Sequence, residues 1–104
     1  MERVADIQLI KPEYRRDSIG QRIGNGESVR ELICTINGIS REEWSAAAQA
    51  GLNPECMAFL RDSEDYEGEE LAQLNGVRYA IYRTYLTGDG GIELYLRRNT
   101  GDNI

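Results

Sequence analysis

The hydrophobic positions alternate with a period of two over most of this chain, and only once does the period lengthen to that of a helix. Val4 to Ile10 alternates, with Ala5, Ile7 and Leu9 on one face, and predicts a first strand that Pro12 should end. Ser28 to Asn37 alternates again, with Leu32, Cys34 and Ile36 together, and predicts a second. The period then changes at ISREEWSAAAQAG. Ser40 is placed to cap the amide of Glu43, Glu43 to reach back in a capping box, and Ile39 and Trp44 to form a hydrophobic staple. Four alanines between 46 and 50 propagate the helix, Gly51 caps it in the left-handed conformation, and Pro54 prevents its continuation. These signals predict a helix over 41–50. Strands follow at 56–62, 70–74, 77–86 and 92–98. Asn75-Gly76 is a hairpin turn in which both residues tolerate positive φ, and the stretch TGDGG joins the last two strands.

Six short strands, the last three joined as sequential hairpins, leave few ways to avoid exposed edges. Closure removes them. The expected fold is mainly β, a six-stranded antiparallel barrel with one short helix inserted between strands 2 and 3, the helix plugging or covering one end. At 104 residues the chain is expected to form a single domain, 1–104, with a frayed tail over 99–104.

One stretch fits neither period. KPEYRRDSIGQRIGNGES, residues 11–28, has three glycines, Gly20, Gly24 and Gly26, and only Tyr14, Ile19 and Ile23 as large apolar or aromatic residues. It reads as a long flexible loop, and a connection of that length in a small domain is commonly functional. No Gly-Lys-Ser/Thr follows the glycines, so a phosphate loop is not indicated. On a rigid scaffold such a loop suits partner binding. Tyr14, Arg15, Arg16, Ile19 and Ile23 are its candidate anchors, with Lys11, Asp17 and Arg22 beside them.

Charge narrows the function classes. The net charge is −6, unevenly spread. Residues 1–30 carry six basic and five acidic side chains, 31–75 two basic and ten acidic, and 76–104 four basic and three acidic. An acidic middle between near-neutral ends argues against nucleic acid, whose affinity comes mainly from clustered Lys and Arg on phosphate, and no sequence-specific nucleic-acid partner is expected. It suits a subunit whose faces differ in sign, as a ring requires. The stretch Asp62, Glu64, Asp65, Glu67, Glu69, Glu70 lacks the ligand spacing of a calcium loop and reads as a solvated loop or a docking patch for a basic partner; an enzyme using these carboxylates is a further alternative. The chain has no histidine, which removes the commonest general base and metal ligand. Cys34 and Cys56 lack zinc spacing and read as reduced, buried thiols packing as small hydrophobes. No enzymatic activity, metal or cofactor is expected. No apolar run approaches the roughly 20 residues that a membrane span needs, and MERVADIQLIKPEY is not a signal peptide, so a soluble chain made in a cytoplasm is expected.

Four tyrosines crowd the last hairpin, at Tyr79, Tyr82, Tyr85 and Tyr95. Alternation puts Val77, Tyr79, Ile81, Arg83 and Tyr85 on one face of the fifth strand and Arg78, Ala80, Tyr82, Thr84 and Leu86 on the other, so both sides should be covered. Core packing with hydroxyls at the rim is the plain reading. The alternative is a single-stranded nucleic-acid platform of the OB type, using Tyr82 and Tyr95 with Arg78, Arg83, Arg97 and Arg98 as a thin basic groove.

The segments SREEWSAAAQAGLNPE and DYEGEELAQLNGVRYAIYRTYLTGDGGIELYLRR resemble the head–tail joining, or head-closure, proteins of tailed phages and prophages. The resemblance covers about residues 35–100 and rests on a Glu-rich helix ending in Ala-Gly-Leu, a Tyr-x-Gly-Glu step, a Gly-x-x-Tyr strand and a closing Glu-Leu-Tyr-Leu strand. Its signature positions here are Ser40, Glu43, Trp44, Ala50, Gly51, Tyr66, Gly68, Glu69, Gly76, Tyr79, Tyr82, Arg83, Glu93 and Tyr95. It implies a small barrel with one helix in the second connection. It also implies a non-enzymatic ring under the portal and its adaptor that closes the filled head and receives the tail, with residues 11–28 reaching toward the neighbouring ring. The chain would then be a monomer in the host cytoplasm before it joins the virion neck.

Overall fold

The computed structural model describes residues 3–16 and 22–98, with 12–16 and 22–26 described through the backbone alone. The elements are β1 (Arg3–Arg16), β2 (Arg22–Asn37), α1 (Arg41–Gln49), β3 (Pro54–Leu60), a single 3-10 turn (Ser63–Asp65), β4 (Leu71–Leu74), β5 (Val77–Leu86) and β6 (Ile92–Arg98). The ladders run β1–β2–β3–β6–β5–β4 and close back onto β1, and all are antiparallel. The six-stranded barrel with one helix between β2 and β3 is therefore present.

The interior follows the predicted alternation. Ile7 and Leu9 of β1, Cys34 and Ile36 of β2, Ala58 and Leu60 of β3, Ala72 and Leu74 of β4, Tyr79 of β5 and Ile92, Leu94 and Leu96 of β6 form one buried cluster. Ala5, Leu32, Cys56, Val77 and Ile81 pack against it. Cross-strand partners such as Ile7↔Leu32 and Ala58↔Leu94 share this inner face. Cys34 and Cys56 are free thiols of that core, and burial pushes the Cys34 thiol up to about 11. The turn after β4 has φ of 50° at Asn75 and 79° at Gly76, as its two residues foretell.

Three expectations are corrected. The first concerns 11–28. In its described part this stretch is strand, because β1 and β2 continue as a ribbon through Lys11↔Ser28 and Pro12↔Glu27 to Tyr14↔Gly24, Arg15↔Ile23 and Arg16↔Arg22. Pro12 does not end β1. It sits at a register shift between Pro12 and Tyr14, where the ladder is already irregular. A ribbon with one neighbour per strand also leaves half its backbone groups to solvent, so a residue without an N–H is tolerated there. Beyond Ile10, β1 no longer pairs with β4, and before Thr35, β2 no longer pairs with β3. The ribbon therefore projects from the barrel, and the molecule measures 50 Å by 29 Å by 26 Å. Asp17, Ile19 and the tail 99–104 lie outside the described residues.

The second correction concerns β5. Its register against β6 shifts between Ile81↔Leu96 and Arg83↔Tyr95. This bulge at Tyr82 breaks the alternation, so Val77, Tyr79 and Ile81 face inward with Leu96, whereas Arg83 and Tyr85 share the outer face with Tyr95 and Glu93. The third concerns α1, which does not plug an end. It is strapped to the outer wall, as its contacts show below.

Candidate interaction site

Short-range chemistry sets α1. Ser40 Oγ accepts from the amide of Glu43 at 3.1 Å, the expected cap. The chain leaves through a Schellman turn, with Leu52 N donating to Ala47 O at 2.9 Å, Gly51 N to Ala48 O at 3.0 Å, and Gly51 at φ 82°. Glu43 does not close the capping box by reaching back. Its carboxylate turns to the barrel wall instead, where it accepts from Tyr82 Oη at 2.9 Å and from both Nε and Nη2 of Arg83. The Arg83 guanidinium in turn lies 4.2 Å from the centre of the Tyr95 ring. Tyr82 and Tyr95 meet at 6.3 Å between ring centres, and Tyr95 Oη donates to Glu93 at 2.6 Å. Five signature residues, Glu43, Tyr82, Arg83, Glu93 and Tyr95, thus form one cluster that ties the helix to β5 and β6.

The electrostatics of this cluster favour holding over reacting. The Arg83 hydrogen bond keeps the Glu43 carboxyl below its ordinary value despite partial burial. Burial, with the bond to Glu93, pushes Tyr95 up to about 12, and burial with the bond to Glu43 raises Tyr82 further. Both phenols keep their protons at neutral pH, and Glu43 stays ionised and paired. Trp44, expected to staple the helix start, remains 52% exposed.

A second cluster seals the barrel beside the ribbon. Arg30 is in phase with Leu32, Cys34 and Ile36, so its side chain starts on the inner face. It donates to Glu69 Oε2 from Nε at 3.0 Å and from Nη2 at 2.7 Å, and to the carbonyl of Asp65 at 2.6 Å. Tyr66 Oη donates to the carbonyl of Glu69 at 2.6 Å, the amide of Glu67 donates to Glu69 Oε1 at 2.9 Å, and Gly68 takes φ 86° to make that fold possible. Burial raises the Glu69 pKa, but the bonds from Arg30 and the Glu67 amide outweigh it and the net direction is down. The reading of the acidic stretch as solvated is corrected at this residue: Glu69 is 2% exposed. Its partner lies 39 positions away, and the only signal in the sequence is a charge at an inward position, Arg30.

The remaining predicted residues are scaffold or ribbon. Gly51, Gly68 and Gly76 have positive φ, and Tyr79 is in the core. Lys11 is exposed at the ribbon's root, and Tyr14, Arg15, Arg16, Arg22 and Ile23 hold the paired positions along it. Around the root, Val4 (73%) and Ile33 (71%) are among the most exposed large apolar side chains. A groove of about 680 Å³ takes in Ile33 and is lined by Asp6, Glu31, Leu32, Ile33, Arg61, Asp62 and Asp65. Among the described residues no group of acidic or cysteine side chains could hold a metal ion, and no helix is long and apolar enough to cross a membrane. No family model matches the chain, and no curated protein matches it.

Proposed function

We propose that this protein is a non-enzymatic assembly subunit of a phage or prophage head–tail connector. It would dock through its β1–β2 ribbon onto a neighbouring portal or adaptor ring, close the head and receive the tail, passing from the host cytoplasm to the virion neck. The carrying observation is the ribbon itself: residues 11–16 and 22–28 pair with each other and with no barrel strand. Two strand edges held clear of a closed barrel are a ready template for another chain. The clusters around Glu43 and Glu69 support the reading, because their polar groups are spent on one another and keep the platform rigid. The nucleic-acid alternative draws less support, since Tyr82 Oη, Tyr95 Oη and one face of the Tyr95 ring are already engaged.

Trypsin tests the proposal. Arg15, Arg16 and Arg22 lie on the ribbon, whereas Lys11 precedes a proline and resists cleavage. In the free chain the first cuts fall at these arginines. Addition of assembled portal or adaptor rings slows them at least about tenfold, as expected for an occupied strand edge. Unchanged cleavage with every connector component overturns the proposal, and loss of labelled single-stranded DNA binding on Tyr82→Ala replaces it with the OB-type reading.

A further inference from the structure

The groove at the ribbon's root is more than an acidic patch. It lies where β2 parts from β3. Only Thr35, Ile36 and Asn37 of β2 pair with β3, at Phe59, Ala58 and Met57, so at Glu31–Ile33 the backbone edge facing the groove has no strand beside it. Ile33 stands 71% exposed there and Val4, which pairs with Thr35 two ladder positions along, 73%. Four carboxylates, Asp6, Glu31, Asp62 and Asp65, line the groove against one cation, Arg61. The site thus combines an open strand edge, an apolar floor and net negative charge. Those are the requirements of an extended, basic segment carrying a few apolar residues.

The chain contains one such segment, its own ribbon. Residues 11–26 hold four basic side chains, Lys11, Arg15, Arg16 and Arg22, against two acidic ones, with Tyr14, Ile19 and Ile23 among them, in a molecule whose net charge is −6. The ribbon cannot serve its own groove. From the last barrel pair of β1, at Ile10, to Arg16 it runs outward by about 20 Å at strand rise, while the groove lies behind it at Asp6 and Ile33. We infer that the ribbon of one copy adds as a strand to the Glu31–Ile33 edge of the next, with its arginines against Asp6, Glu31, Asp62 and Asp65. The contact joins two different surfaces of the same chain, so it is head-to-tail and propagates into a ring when the rotation closes. This rests on the reading of the ribbon as a docking element and names a second copy as its partner. Each contact is weak, because like-charged copies repel, and closure of the ring supplies the avidity.

Reciprocal charge reversal tests it. Asp6→Lys with Glu31→Lys makes the groove basic, and Arg15→Glu with Arg16→Glu makes the ribbon acidic; Asp6 and Glu31 are exposed, and all four positions lie outside both clusters that tie the barrel. In sedimentation velocity the unaltered chain associates as its concentration rises into the millimolar range. Either variant alone associates about tenfold more weakly or worse, consistent with lost charge complementarity. An equimolar mixture recovers, because in strict alternation every groove meets a ribbon of opposite sign. Hydrogen exchange at the amides of residues 31–34 slows in the recovered mixture. An unaltered chain that stays monomeric, a mixture that stays monomeric, or association without protection at 31–34 overturns the inference. If trypsin protection by portal or adaptor rings persists in any of those cases, the docking function stands and only the choice of partner falls.

Discussion

Glu43 and Glu69 are the carboxylates at the centre of the two clusters, and both have pKa values below the ordinary one. A group whose folded pKa is depressed binds protons more readily in the unfolded chain. Its contribution is therefore complete above the unfolded value, about 4.3 for Glu, and is lost as pH falls from there through the depressed folded value. Glu69→Gln should lower stability at neutral pH by about 1–3 kcal/mol, since the buried site and Arg30 lose a charged acceptor while Arg30 keeps some contact with water. The same variant should narrow its deficit as the pH drops below about 4, where the native carboxylate is itself being neutralised. Urea unfolding across that range measures both, and a deficit independent of pH would show that the Arg30–Glu69 pair does not carry this stability. At this scale the sequence discloses what depends on neighbours in the chain. Ser40, Gly51 and Gly76 are legible because a cap or a turn is decided within a few residues. The pairs Arg30–Glu69 and Glu43–Arg83 are not, because 39 and 40 positions separate the partners and only the closed barrel brings them together.

Periodicity placed β5 and β6 at their observed limits, and the helix within a residue. Its failures are physical. Alternation cannot register the bulge at Tyr82, which changes the outward face of β5 midway, and so Arg83 and Tyr95 meet on the surface as a clamp for α1. The TGDGG turn hides a packing constraint too. Gly91 is buried, and a Cβ added there would stand 2.5 Å from Cζ of Phe59 and 2.8 Å from the carbonyl oxygen of Leu60. The ring can swing away, but the backbone oxygen belongs to the β3–β6 ladder and cannot. Gly91→Ala should cost about 1–3 kcal/mol by overpacking, whereas Gly88→Ala, where nothing lies within 4 Å, should stay within about 0.5 kcal/mol of the parent. Equal denaturation midpoints for the two variants would show that the turn relaxes freely and that β3 and β6 are not locked there.

At the scale of the whole molecule, closure was legible because six short strands without closure leave exposed edges, and Pro12, Gly24 and Gly26 were misread because such residues mark turns in most strands but are tolerated in a ribbon bonded on one side. Barrel and ribbon should accordingly be separable. Every barrel ladder lies outside 12–27, and Lys11 faces Ser28 directly, so replacing residues 12–27 with Asn-Gly joins the two strands by a tight hairpin. The replacement removes the ribbon and the Arg78–Glu27 ion pair, whose two side chains are each 38% exposed and which is worth at most about 1 kcal/mol. The shortened chain should unfold cooperatively with a melting temperature within about 8 °C of the parent. On the proposed docking mode it should also lose both binding to connector rings and self-association, since both would draw on the same pair of strand edges. A shortened chain that fails to fold would make the ribbon part of the barrel's own stability. One that folds and still assembles would place docking elsewhere on the wall, most plainly on the face around Ile33 and Val4 acting without a strand to receive.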